Sequence, residues 1–131
     1  MTARGCIVGA GPAGVIAALA CARNGMQVVL FEAGSEIDRS PRAATTHPST
    51  LGMLADLDLL DEFQSVGLVA RAFQFWDGAT KTLVAEFDHE TLRDETPYPY
   101  VVQTEQHKLV SIGLRRLAAT PGASVRMATS V

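Results

Sequence analysis

Three glycines, Gly9, Gly11 and Gly14, sit two and three residues apart inside the run CIVGAGPAGVIAALACARNGMQVVLFEA of residues 6–33, and Glu32 stands near its end. Glycines at this spacing bring main chain against a pyrophosphate. Gly9 permits a tight turn, Gly11 removes the Cβ that would block approach, and Gly14 lets a helix pack close to the strand before it. Pro12 and Ala13 lie between them, where a helix would start. Proline is tolerated in that first turn, and the free N–H groups there, with their partial positive charge, suit phosphate. Glu32 can accept hydrogen bonds from the two ribose hydroxyls, and its charge would repel a 2′-phosphate, which argues against NADP here. A structural glycine turn followed by a solvated glutamate is the plain alternative.

The elements that must position these residues are legible around them. Residues 6–8 form a short apolar run ending at glycine, as a buried strand does. Residues 12–24 are alanine-rich and followed by Gly25, so they read as a helix. Residues 27–32, QVVLFE, read as a second buried strand. The bare glycine motif is weak evidence, but strand, helix, strand and terminal acid together supply the βαβ context that dinucleotide binding requires.

Further along, residues 34–46 lack periodicity and read as a loop, whereas 48–60 carry leucines at near-helical spacing. Residues 68–76 and 83–87 flank DGATKT, which predicts a β-hairpin with Phe73, Phe75, Trp76 and Phe87 on a face packed against the core. Residues 89–99 read as a loop and 100–103 as a short strand. Thr104 is placed to cap a helix running to about residue 119, ended by Pro121-Gly122, with Arg115 and Arg116 near its C-terminus, where cations suit the dipole. Alternation over 125–131 predicts a last strand, the third of a parallel sheet. The fold class expected is α/β: a Rossmann-like βαβ unit with a parallel sheet and a hairpin excursion.

Bulk properties narrow the partners. The 131 residues are about one domain, with 47% hydrophobic residues and a net charge of −3. That charge gives no reason to expect nucleic acid or an acidic membrane surface. The apolar run near the N-terminus is broken by glycines and a proline, so neither a membrane span nor a signal peptide is expected, and a cytoplasmic setting is. Cys6 and Cys21 fit no metal or redox spacing and are expected to be small buried hydrophobes. No metal site is expected.

The fingerprint alone does not separate FAD from NAD. Two later stretches, RSPRAATTHPSTLGMLADLDLLDEF and YVVQTEQHKLVSIGLRRL, together with GAGPAG and LFEA, resemble the FAD-dependent aromatic monooxygenases of the p-hydroxybenzoate hydroxylase type. The resemblance runs over essentially the whole chain. It implies an FAD-binding domain over 1–131, the N-terminal and incomplete portion of a longer enzyme. It implies that the glycine turn holds the ADP half of FAD, with Glu32 and the adjoining Ala33 at the ribose. By motif position, Arg42 meets the ribityl-pyrophosphate region and Gln103 also contacts the cofactor. An arginine can serve phosphate oxygens and a glutamine offers donor and acceptor, although in isolation a solvated arginine and a capping glutamine explain them as well.

For the full-length enzyme the resemblance implies NAD(P)H as a transient electron donor and transfer of one oxygen atom of O₂ to an aromatic or similar small molecule. No catalytic acid or base is assigned. His47 is read as positioning the helix after it, Arg39 as solvated, and His107 and Lys108 as lying on an exposed helix face. One departure is Asp58, where relatives often carry glycine to end a helix. Another is length: the family's later cofactor motifs and substrate-covering sheet are not in these residues, so this chain alone is expected to be catalytically silent. The Ile7 strand is expected at an uncovered sheet edge, open to self-association. Two other readings stand beside this one. The chain is a module holding NAD or another ADP-containing ligand without redox work, or a non-enzymatic remnant that pairs with another chain.

Overall fold

Apolar β-prone residues at 6–8 and 28–31 bracket an alanine-rich segment, and the chain forms there a βαβ unit: β1 (Arg4–Val8), α1 (Pro12–Arg23) and β2 (Gln27–Phe31). The computed structural model describes residues 3–40 and 42–131. It divides into two units, Met1–Ala43 with Glu105–Val131, and Ala44–Thr104.

In the first unit β1 pairs in parallel with β2, Cys6 opposite Val29 and Val8 opposite Phe31. The last strand, β8 (Ala123–Arg126), pairs in parallel on the other side of β2, giving the order β1-β2-β8. This is the parallel sheet expected from the sequence, and β1 is an edge strand among the described residues. Helix α4 (Gln106–Ala118) packs on α1, burying Leu109, Val110, Ile112 and Leu117 with Val15, Ala18, Leu19 and Ala22. Their approach is close: a Cβ on Gly113 would fall 2.3 Å from Val15 Cγ1. Arg115 and Arg116 occupy the last turn of α4, as the dipole favours.

The second unit begins with β3 (Thr45–Thr46), then α2 (Pro48–Asp56), α3 (Leu60–Ser65), β4 (Leu68–Ala70), β5 (Ala72–Trp76), β6 (Leu83–Asp88), a 3₁₀ turn at His89–Leu92 and β7 (Val101–Gln103). Strand β7 lies between β3 and β4, antiparallel to both, while β5 and β6 form a separate hairpin. Leu51, Leu54, Leu59, Phe63 and Val102 make the core of this unit, each almost fully buried.

Several expectations are corrected. The single helix over 48–60 is two helices. The break is at Asp58, whose φ of 53° lets Leu59 N–H reach the Leu54 carbonyl at 2.9 Å and buries Leu59 completely. Asp58 takes the left-handed conformation that glycine takes most easily, at a modest cost. The strand over 68–76 is also two strands, because the chain leaves β7 at Ala70 and joins β6 from Ala72, with His89 N–H bonded to the Arg71 carbonyl at 2.8 Å. The 34–46 loop contains β3, and the 89–99 loop contains the 3₁₀ turn.

Thr104 does not cap α4. Glu105 is the N-cap residue, and the Thr104 hydroxyl donates to the Val66 carbonyl at 3.2 Å. The final strand stops at Arg126, since Ala128 adopts a φ of 51° and donates to the Gly34 carbonyl, and Thr129 N–H donates to the Glu32 carbonyl. Cys6 is exposed on β1 and Cys21 is half-buried, so neither is the fully buried hydrophobe expected.

The hairpin aromatics depart furthest. Phe73, Phe75, Trp76 and Phe87 are 46–57% exposed, with no core over them among the described residues. Phe73 and Phe87 stack on each other at 4.9 Å, and Phe75 meets both edge-on. Alternation marked them as sharing faces of a ribbon, but does not report what covers a face.

Candidate functional site

The turn from β1 into α1 is built as the glycine spacing requires. Gly9 has a φ of 95°, a region disfavoured for side-chain-bearing residues, and its N–H donates to the Phe31 carbonyl at 2.7 Å. Gly14 sits so close beneath the turn that a Cβ there would lie 1.9 Å from the Gly9 carbonyl oxygen. Gly11 is the N-cap of α1, and a Cβ there would meet nothing within 4 Å. Its outer side is therefore bare main chain facing open space.

No side chain caps α1, and no acidic residue lies in its first turn. Val15 N–H makes the first intrahelical bond, to the Gly11 carbonyl at 3.0 Å. Pro12 has no N–H, and those of Ala13 and Gly14 precede any carbonyl four residues back within the helix. The start of α1 thus presents donors and a positive dipole end with no acidic residue in its own first turn.

Glu32 follows β2 directly and is held from several sides. Its Oε2 accepts from Ala10 N–H and its Oε1 from Gly34 N–H, both at 2.7 Å. Its own N–H donates to the Arg126 carbonyl at 2.9 Å. The Gly34 hydrogen bond, followed by those of Ala10 and Ala33, holds the carboxyl below the ordinary value of 4.5 despite opposing desolvation. The carboxylate is charged and fixed beside the turn, and each oxygen keeps lone-pair capacity for a further donor.

A cleft of about 460 Å³ opens in the first unit, lined by Gly11, Pro12, Glu32, Asp38, Arg42 and His107 among others. Its size is in the range of small-molecule sites. Arg42 reaches Asp38 Oδ2 through Nη2 at 2.6 Å and Nε at 3.2 Å. Hydrogen bonds from Ser40, followed by the Arg42 guanidinium, hold the Asp38 carboxyl far below its usual range. The pair is more than half exposed, so its worth to stability is small and its cation stays available for exchange between anions.

The first unit thus brings Gly11, Pro12, Glu32 and Arg42 to one cleft, with Gly9, Ala13 and Gly14 forming the turn behind it and Ala33 exposed next to Glu32. Gln103 belongs to the second unit, on β7, where Thr45 Oγ1 donates to its Oε1 at 2.9 Å. His47 is the N-cap residue of α2, with its carbonyl accepting from Leu51 N–H at 3.0 Å and its side chain making no capping bond. Arg39 lines a neighbouring groove with Ile37, Leu114 and Met127.

Sequence reasoning missed Asp38, Gln106, His107, Val110 and Met127 as cleft residues. His107 and Lys108 are half-buried, which corrects the exposed face expected for them. The short spacing from Asp38 to Arg42 was a usable signal; for Val110 and Met127 there was none, because their place depends on how α4 and the chain after β8 meet the β2 loop.

The residues present fit the diphosphate and ribose of an adenine dinucleotide. Bare main chain and free helix N–H groups suit the former, together with Arg42, and the charged carboxylate suits the latter. The fit agrees with comparison to known proteins. Residues 2–131 match the family model described as FAD binding domain. The 6-hydroxy-3-succinoylpyridine 3-monooxygenase HspB of Pseudomonas putida (strain DSM 28022 / S16) is 34% identical over 131 residues, which is 100% of this chain and 33% of that protein. The para-nitrophenol 4-monooxygenase of Pseudomonas sp. (strain WBC-3) is 29% identical over 92% of this chain and 30% of its own length. Among solved structures, the p-nitrophenol 4-monooxygenase PnpA of Pseudomonas putida DLL-E4 superposes with a TM-score of 0.89 at 28% identity, over 98% of this chain and 32% of its own. The chain therefore spans about a third of the length of these relatives.

Proposed function

Because this chain belongs to the FAD binding domain family, we propose that it serves as the N-terminal, cofactor-holding part of a flavin-dependent, NAD(P)H-using monooxygenase acting on a hydroxylated aromatic ring or a similar small molecule. The observation that carries this reading is the bare main chain at Gly11, open to a cleft that Glu32 and Arg42 also line. In that reading the start of α1 and Arg42 hold the diphosphate, Glu32 with Ala33 holds the ribose, and Gln103 supplies a further contact. Bound FAD supplies the redox chemistry with O₂; these residues bind and orient it. The substrate class follows the names of two relatives, one acting on a hydroxypyridine and one on a nitrophenol.

Purified protein is expected to carry a yellow flavin spectrum or to acquire it on adding FAD. Arg42→Ala should weaken FAD about tenfold or more, the worth of one charge-assisted phosphate contact, with the unfolding midpoint unchanged because the Asp38 pair is exposed. Retention of full affinity would remove Arg42 from the site. Uptake of ADP or NAD without flavin would favour a binding module without redox work.

No helix among the described residues is long and apolar enough to cross a membrane, and we place the protein in the cytoplasm; fractionation of cells into soluble and membrane portions checks this. The edge of β1 left unpaired among the described residues, carrying exposed Val8, is proposed as the seat of a further strand. The 131-residue chain on its own is then expected to self-associate with rising concentration, and a concentration-independent monomer in sedimentation would refute this.

A further inference from the structure

We propose that Thr45 is a positioning residue for Gln103, holding its amide so that the nitrogen, not the oxygen, is offered to the cofactor. The inference rests on the reading of Gln103 as a cofactor contact. Thr45 and Gln103 stand directly opposite each other in the antiparallel pair of β3 and β7. Cross-strand partners project from the same face of a sheet, close enough to touch. The contact made there is a hydrogen bond of 2.9 Å from Thr45 Oγ1 to Gln103 Oε1.

On the other flank of β7, Gln103 faces Leu68 of β4, which is 68% exposed and has no polar side-chain atom. The row Thr45, Gln103, Leu68 therefore gives the Gln103 amide one side-chain partner only. Its Nε2 has no hydrogen bond to any described residue. A terminal amide without a partner can turn over and present either oxygen or nitrogen. With Oε1 engaged by the threonine hydroxyl, the two N–H donors are left for an acceptor such as a phosphate, ribityl or ring oxygen. Fixing the amide beforehand also removes ordering cost from the binding step.

The experiment titrates FAD, by quenching of its fluorescence, into the protein and into Thr45→Val, Thr45→Ser, Gln103→Ala, Gln103→Glu and the Thr45→Val/Gln103→Ala double variant, with thermal midpoints alongside. Valine keeps the shape and strand preference of threonine. Thr45→Val is expected to weaken FAD about three- to tenfold with its midpoint unchanged, and Thr45→Ser to restore affinity to within about twofold. In the Gln103→Ala background Thr45→Val should cost nothing further, the coupling expected of one acting through the other. Gln103→Glu, which keeps the acceptor for Thr45 but loses the outward donor, should bind no better than Gln103→Ala. The proposal is overturned if Thr45→Val leaves affinity intact while Gln103→Ala lowers it, if the Thr45→Val loss persists without Gln103, or if Gln103→Glu binds normally. If Gln103→Ala itself binds normally, the fault lies in the reading of Gln103 and the inference falls with it.

Discussion

Gly14→Ala is expected to abolish measurable FAD binding and to destabilise the protein by about 3 kcal/mol, the upper end of ordinary overpacking. The added methyl would lie 1.9 Å from the Gly9 carbonyl oxygen, 3.1 Å from its carbon and 3.5 Å from Ile7 Cγ2. The nearest obstacles are backbone, not the end of a flexible side chain. Gly9 is itself tied to Phe31 at 2.7 Å, so relief requires opening the turn or lifting α1 from the sheet. Either movement carries the helix N–H groups away from their place.

The companion variant is Gly11→Ala. Its methyl meets no protein atom within 4 Å, and its φ of −71° and ψ of 177° are open to alanine. Stability should stay within about 0.5 kcal/mol, as for ordinary exposed substitutions. FAD affinity should nevertheless fall at least tenfold or so, because the methyl occupies the surface that a pyrophosphate must approach. Urea unfolding and FAD titration of the two variants separate the roles: one glycine is needed by the fold, the other by the ligand. A Gly11→Ala protein that binds FAD normally would refute the assignment of this cleft.

Glu32→Gln carries the second large expectation. The carboxylate accepts from Ala10 and Gly34 N–H groups on separate oxygens, so glutamine must set an NH₂ against one of these donors. Loss of one charge-assisted bond and an unmatched donor should cost about 2 kcal/mol at neutral pH and weaken FAD about tenfold. The same change removes the charge that opposes a 2′-phosphate, so discrimination against NADP-like ligands should relax.

The pH dependence has a defined sign. The folded-state value of Glu32 is depressed, so its stabilisation is fully present above the ordinary value of 4.5 and is lost as pH falls through the lower folded value. The difference in urea midpoint between the protein and Glu32→Gln should therefore be constant near neutrality and close progressively in acid below about 4.5. A gap that persists undiminished in strong acid would show that the carboxylate's charge is not what stabilises this loop.

Much of this site was legible without coordinates, and the legible part has a common property. Gly9, Gly11, Gly14 and Glu32 lie in one short stretch, where strand, turn, helix and strand follow each other with no choice of partner. Asp58 drew notice only through the resemblance, and the helix was still read past it to residue 60, because leucine spacing does not register one residue of positive φ. The expected parallel sheet also follows from a βαβ unit. Where the reading failed, a distant segment decided the outcome. Alternation could not show that residues 68–76 change sheets at Arg71, because both halves look equally strand-like. Nor could a helix-capping preference show that Thr104 would bond instead to Val66 across the second unit.

The sequence by itself determined the nucleotide-binding turn, its order of elements and the family, since spacing and residue type constrain these through bonds and near neighbours. Only the tertiary structure decided that Val110 and Met127 help line the cleft, and that Thr45 meets Gln103. It alone left the hairpin aromatics exposed. The physical reason is that a pattern of apolar and polar residues states which side chains share a face, whereas what that face meets is settled by long-range packing.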